Sequence, residues 1–233
     1  MLILIDHADP AAIEDTLSYL PVDGVTTNPT ILARHGGNPL ATLKRIKEIL
    51  PYGSQLHAQL VSTRTEDMVK EAAALREVLG EAIFVKVPVT RQGYAAMPLL
   101  KQRGFLITAT GIHSAMQGFM AAKAGCRYIA PYVNRMDNFG ISGVRVAEDM
   151  HKMLRTQGIQ ADVLAASFKN SEQVLELVRA GIGAITAAPD VLAHLVGNPA
   201  TEMAIAEQNQ DFAQLIGSSK TWAELVEDEN FPD

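Results

Sequence analysis

A single lysine interrupts the apolar run Ile83-Phe84-Val85-Lys86-Val87-Pro88-Val89, and its setting implies chemistry more directly than that of any other residue here. An ammonium in low dielectric loses its hydration, so a lysine in a buried strand tends to shed its proton. The neutral amine is a nucleophile toward carbonyl carbons, and condensation with a ketone or aldehyde gives a Schiff base. The plainer alternative is a structural lysine, neutralised by a buried carboxylate or extended to a solvent edge. The other eight lysines lie in polar or helical stretches that suit a solvated charge.

The elements around Lys86 decide between these. Eight short apolar runs recur along the chain: Leu2–Asp6, Gly24–Thr26, Leu56–Val61, Ile83–Val87, Leu106–Thr110, Tyr128–Val133, Val163–Ser167 and Ala184–Thr186. Segments of helical periodicity separate them, such as Glu66–Leu79 and Val146–Leu154. Strand-helix alternation predicts an α/β fold with a parallel sheet. Eight βα units in roughly 200 residues suit a (β/α)8 TIM barrel near its minimum length, with a doubly wound open sheet as the alternative. No repeat or linker divides the chain, so residues 1–233 are expected as one barrel domain, with 199–233 a C-terminal helical extension. Ala200–Ile216 is predicted helical, and Thr221-Trp222-Ala223-Glu224 has the form of a capping box that opens a last short helix.

Composition narrows the function classes. Hydrophobic residues make up 48% and aromatics 6%, so an aliphatic core is expected. The net charge of −6 argues against nucleic acid or an anionic membrane surface as partner, though not against a local phosphate pocket. Cys126 stands alone, which predicts no intrachain disulfide and a reducing, cytoplasmic setting. The start, Met1-Leu2-Ile3-Leu4-Ile5-Asp6, is expected as a strand and not a signal peptide. No apolar run approaches the roughly 18 residues of a membrane-spanning helix. Three histidines near strands, His7, His57 and His113, could suit a metal, but none forms a close zinc-type pair. No metal and no cofactor is expected.

Side chains alternate faces along a strand, so inward residues can be counted. Phe84 and Lys86 share one face of the fourth strand, opposite Ile83, Val85 and Val87. The same count places Asp6 above Leu2 and Leu4, and Gln59 above His57. It places Thr110 above Leu106 and Thr108, Tyr132 above Tyr128 and Ala130, and Ser167 above Val163 and Ala165. Thr26 ends the second strand, with Asn28 in the following turn. Active sites of this fold lie at the C-terminal ends of the strands, where all these groups fall. A slip of one residue in any strand would reverse its faces.

The motifs Gly24-Val25-Thr26-Thr27-Asn28-Pro29, Val85-Lys86-Val87-Pro88-Val89-Thr90, Ala130-Pro131-Tyr132-Val133-Asn134-Arg135 and Leu164-Ala165-Ala166-Ser167-Phe168-Lys169 resemble those of the transaldolase family. The likeness runs through nearly the whole chain in order, and is nearer to the short branch that contains fructose-6-phosphate aldolase. Transaldolases typically carry glutamate where this chain has Gln59 and phenylalanine where it has Tyr132. The resemblance therefore implies a class I aldolase cleaving a ketose or ketose phosphate to dihydroxyacetone, or a related ketone, plus an aldehyde. A transaldolase is the nearest alternative, and a noncatalytic sugar-phosphate-binding barrel the alternative of another class.

By that resemblance Lys86 forms the Schiff base and Tyr132 is the general acid/base. Gln59 and Thr110 hold a relay water. Asp6 binds a substrate hydroxyl or moves a proton. Thr26 and Asn28 bind the donor, while Arg135 and Ser167 bind the acceptor's phosphate. The resemblance also implies a homo-oligomer of five-membered rings paired into decamers. Two stretches depart from the family pattern. Gly111-Ile112-His113 lacks the usual aromatic at its third position, and Ala187-Ala188-Pro189 replaces a leucine-proline-leucine run. Both are expected at the barrel mouth, where they bear on substrate preference.

Overall fold

The aliphatic runs form eight strands, β1 (Leu2–Asp6), β2 (Gly24–Thr26), β3 (Gln55–Gln59), β4 (Phe84–Pro88), β5 (Leu106–Ile112), β6 (Tyr128–Pro131), β7 (Asp162–Ala165) and β8 (Ala184–Ala187). Each pairs in parallel with the next in sequence, and β8 pairs back onto β1 to close a barrel. The expected (β/α)8 barrel is thus the fold, and the open sheet is excluded. The computed structural model describes residues 1–227. Among them, no helix is long and apolar enough to cross a membrane.

Helices begin where the sequence supplies a cap. Asp9, Asn28, Asn38 and Asn198 each accept a backbone N–H at a helix start and are followed by proline, whose missing N–H costs nothing there. Asn28 Oδ1 takes the amide of Ile31 at 3.0 Å and so fixes the turn that leaves β2. Ser142 also caps a helix, Gly143–Thr156, by accepting the Arg145 amide, though glycine and not proline follows it. The helix Thr65–Leu79 follows the expected span, one residue longer at its start.

Two apolar layers result. Ile5, Val25, Val85, Ile107, Ile129 and Ile185 point outward and pack beneath the helices. Leu4, Phe84, Tyr128, Leu164 and Ala184 fill the barrel interior. The predicted parity therefore holds for β4, where Val85 lies outside and Phe84 inside. It fails for β7: Val163 and Ala165 belong to the outer layer and Leu164 to the inner one. Strand continuity would turn Ser167 away from the mouth. Instead β7 ends at Ala165, and Ser167 adopts φ 64°, the only positive φ at a non-glycine among the described residues. The sixth strand also ends early, at Pro131, and Val133 already lies in the helix Val133–Asp137.

The chain divides into two compact units, Met1–Leu195 and a second that begins at Val196. In the second, the helix Pro199–Ile216 follows its Asn198 cap. The predicted capping box forms: Glu224 Oε2 accepts the Thr221 amide at 2.6 Å, and Thr221 Oγ1 accepts the Glu224 amide at 3.4 Å. It opens the helix Trp222–Glu227, whose Trp222 ring meets Phe212 at 4.7 Å. The rest of the predicted extension, residues 228–233, lies outside the described residues.

Candidate active site

Lys86 is 4% exposed and stands inside the barrel near the C-terminal end of β4. Its neighbours in register are Gln59 on β3 and Thr108 on β5. Its Nζ donates to the Thr27 carbonyl at 2.8 Å, which draws the amine toward the exit of β2. Burial pushes the Lys86 pKa below the usual lysine value, and the Asp6 carboxylate opposes the shift. Burial pushes Asp6 upward, against the pull of Lys86 and of its bond to Thr26.

Around that amine the strand ends converge. Thr26 Oγ1 donates to Asp6 Oδ1 at 2.6 Å and lies 2.7 Å from Thr186 Oγ1. With its one proton given to Asp6, Thr26 accepts from Thr186, so a directed chain runs from β8 through β2 to β1. Across the barrel, Thr110 Oγ1 and the Tyr132 hydroxyl are 2.9 Å apart. The Arg135 guanidinium sits 4.6 Å from the centre of the Tyr132 ring, and the His113 ring meets it edge-on at 5.6 Å. Gln59 Oε1, on the residue in register with Lys86, is buried without a hydrogen-bond partner. A short loop-helix unit holds the far side. Asn134 N donates to the Ser167 carbonyl at 2.7 Å, and Asp137 Oδ1 accepts the Gly143 amide at 2.8 Å.

Below Lys86 the interior is closed. His57 is fully buried and stacks on Phe84 with ring centres 4.4 Å apart. Gln55 Nε2 donates to the Tyr128 hydroxyl, so its Oε1 accepts His57 Nε2–H, and His57 Nδ1 accepts from Thr108. Burial holds His57 neutral, well below the ordinary histidine range, with Lys86 adding to the shift. His57 is therefore part of the barrel floor. Among the described residues no group of three or more His, Cys, Asp or Glu side chains is placed to hold a metal ion.

Eight of the nine residues singled out from the sequence lie toward the C-terminal ends of strands or in the turns that follow them, and Arg135 lies in the helix Val133–Asp137 after β6. Asp6 and Thr26 are in direct contact, as are Thr110 and Tyr132. Asn28 spends its side-chain oxygen on the helix start, so its NH2 group is the part left to donate. Strand counting missed Thr186 and the Thr27 carbonyl. Thr186 stands two residues after the inward Ala184, so parity contained that signal. A backbone acceptor leaves no trace in residue type.

A closed parallel barrel with a buried lysine near the C-terminal ends of its strands defines a (β/α)8 protein. The sequence model of the transaldolase/fructose-6-phosphate aldolase family matches residues 3–230, and the chain belongs to that family. Membership supports an aldolase- or transaldolase-type function. Solved structures share the fold alone. A double mutant of flavocytochrome b2 with pyruvate bound superposes at TM-score 0.60 and 10% identity, covering 95% of this chain and 65% of the other. The flavocytochrome b2 structure with sulfite bound gives 0.59 and 10%, covering 81% and 56%. The chain thus spans about two thirds or less of those proteins' length.

Proposed function

We propose that the protein is a class I aldolase that binds a ketone donor as a Schiff base on Lys86. The observation that carries this is the Lys86 amine: buried, bonded to the Thr27 carbonyl, in register with Gln59 and Thr108, and shifted toward its neutral form against the pull of Asp6. Attack of the amine on the donor ketone and loss of water give an iminium, which acts as the electron sink for carbon–carbon cleavage. The enamine left on Lys86 is captured by a proton or by a second carbonyl carbon. Hydrolysis then frees the ketone.

Tyr132 moves the proton on and off the acceptor oxygen, with its hydroxyl oriented by Thr110 at 2.9 Å. The unpartnered Gln59 Oε1 and Thr110 bind the water that serves the Schiff base. Asp6, Thr26 and the Asn28 amide hold the donor hydroxyls. Arg135 has no ion pair among the described residues, which leaves its guanidinium available for an acceptor phosphate alongside Ser167. Glutamine at 59 and tyrosine at 132 favour the aldolase over the transferase, with a sugar or sugar phosphate as substrate.

Borohydride reduction with dihydroxyacetone tests the proposal. An adduct on Lys86, absent in Lys86→Met, is expected. Failure to trap it, or full activity in Lys86→Met, rejects the Schiff base. Product analysis separates the two enzyme types. Free dihydroxyacetone from a ketose phosphate alone supports the aldolase, and turnover only with an added aldose phosphate replaces it by the transaldolase.

A further inference from the structure

His113 touches Tyr132, and the proposed chemistry gives it no task. The contact follows from a break in the alternation of β5. Ile107 and Ala109 belong to the outer layer, so strict alternation would put Gly111 outside with them and Ile112 inside. Instead Ile112 is fully buried in the outer layer. The register shows the cause. From Ala109 to Ile112 the fifth strand takes three steps, while its partner takes two, from Ile129 to Pro131. One extra residue on one strand is a bulge, which re-aims the side chains beyond it. Gly111 carries it at φ 76°, and nothing lies within 4 Å of where its Cβ would stand, so the demand for glycine there is conformational. The change of phase brings His113 onto the side of Tyr132.

The four residues from Thr110 to His113 then hold Tyr132 at three points. Its amide donates to the Ile112 carbonyl at 3.1 Å. Its hydroxyl pairs with Thr110 at 2.9 Å. Its ring meets the His113 ring at 5.6 Å, with the planes 77° apart. His113 is itself fixed. Its Nδ1 lies 3.0 Å from the Gly111 carbonyl, which can only accept, so Nδ1 carries a proton. Its amide donates to Gln117 Oε1 at 2.8 Å. An exposed histidine held at both ring and backbone has given up conformational freedom that solvent would otherwise allow. Strand β6 does less for Tyr132, because it ends at Pro131 and Tyr132 already turns toward the next helix at φ −92°, ψ 84°.

Resting on the Schiff-base reading with Tyr132 as its acid/base, we propose that His113 is a positioning residue: set by the Gly111 bulge, its ring holds the Tyr132 ring where the hydroxyl reaches the acceptor aldehyde. As the enamine carbon bonds to the aldehyde carbon, the aldehyde oxygen takes the Tyr132 proton. His113 exchanges no proton and binds no substrate in this role. It acts through Tyr132 alone, and the ring supplies the effect rather than its nitrogens. Misplacing a proton donor by a fraction of its hydrogen-bond length forfeits part of the rate that acid catalysis gives.

The test uses dihydroxyacetone as donor and glycolaldehyde as acceptor, which has no phosphate for Arg135 to bind. Rates are taken per Lys86 trapped by borohydride with dihydroxyacetone, so a loss of folded protein does not count. In His113→Ala, kcat should fall by about ten-fold, with KM for glycolaldehyde unchanged. His113→Phe returns a ring to the same place without polar atoms and should recover most of the rate. In the Tyr132→Phe background, His113→Ala should cost nothing further, because the group it positions is gone. An unchanged kcat in His113→Ala overturns the proposal. So does a His113→Phe as slow as His113→Ala, which would make the nitrogens the active part. A second full loss on top of Tyr132→Phe overturns it as well, and where that background is too slow to compare, the recovery in His113→Phe decides. Failures beneath the proposal look different. Absence of trapping in the unaltered protein removes the Schiff base, and full activity in Tyr132→Phe removes the acid/base that His113 would position.

Discussion

Asp6 and Lys86 act on each other in opposite directions, and neutralising one exposes the other. Burial lowers the Lys86 pKa and the Asp6 carboxylate partly restores it. Only the deprotonated amine attacks a carbonyl, so activity rises as pH rises through the Lys86 pKa. In Asp6→Asn the restoring charge is gone. The pKa falls further, and the rising limb of the kcat/KM profile should move to lower pH. A limb that stays put or moves upward contradicts the pairing. Thr186 is a second residue to probe, since its buried hydroxyl pairs with that of Thr26 at 2.7 Å. Thr186→Val keeps the shape and removes the donor, leaving Thr26 without the bond it accepts. A loss of about 1 kcal/mol in denaturant unfolding is expected for one buried hydrogen bond.

At the scale of elements, the segment from β6 to the helix Gly143–Thr156 is held by close backbone contacts. A Cβ at Gly143 would collide with the Val133 carbonyl, and Val133 opens the short helix that carries Arg135. Gly143→Ala should therefore destabilise the fold by about 1–3 kcal/mol, as overpacking does. It should also raise KM for phosphorylated acceptors, because the helix bearing Arg135 has to shift. Calorimetry and kinetics on the same variant check both. Ser167 presents a different trade-off, with its left-handed φ of 64°. Ser167→Gly relieves strain of about 1 kcal/mol and removes the hydroxyl. Thermal stability should rise while binding of phosphorylated acceptors weakens. A fall in both would mean that the Ser167 hydroxyl supports the fold and not the ligand.

For the whole molecule, assembly is the open property. None of the residues in the helix Pro199–Ile216 is buried, and Trp222 is 71% exposed. Family resemblance leads us to propose a homo-oligomer in which such apolar groups meet another copy. Deleting residues 218–233 should then lower the number of copies per particle measured by light scattering in solution. An unchanged copy number would place the contact elsewhere.

The sequence by itself determined the barrel, because eight aliphatic runs alternating with amphipathic helices permit few other burials. It also singled out Lys86, since a charge amid apolar neighbours is visible without coordinates. Parity put the buried Thr110 on the face of Thr108 and Leu106, and β5 keeps that alternation up to the register shift that begins after Ala109. Only the tertiary structure corrected Ser167, where a one-residue phase error in β7 and a left-handed turn fell together. Only the tertiary structure joined Thr186 to Thr26 and Lys86 to the Thr27 carbonyl, across 160 and 59 residues of chain. Residue type records what a side chain can do, while closure of the barrel, which no local pattern encodes, decides which groups meet.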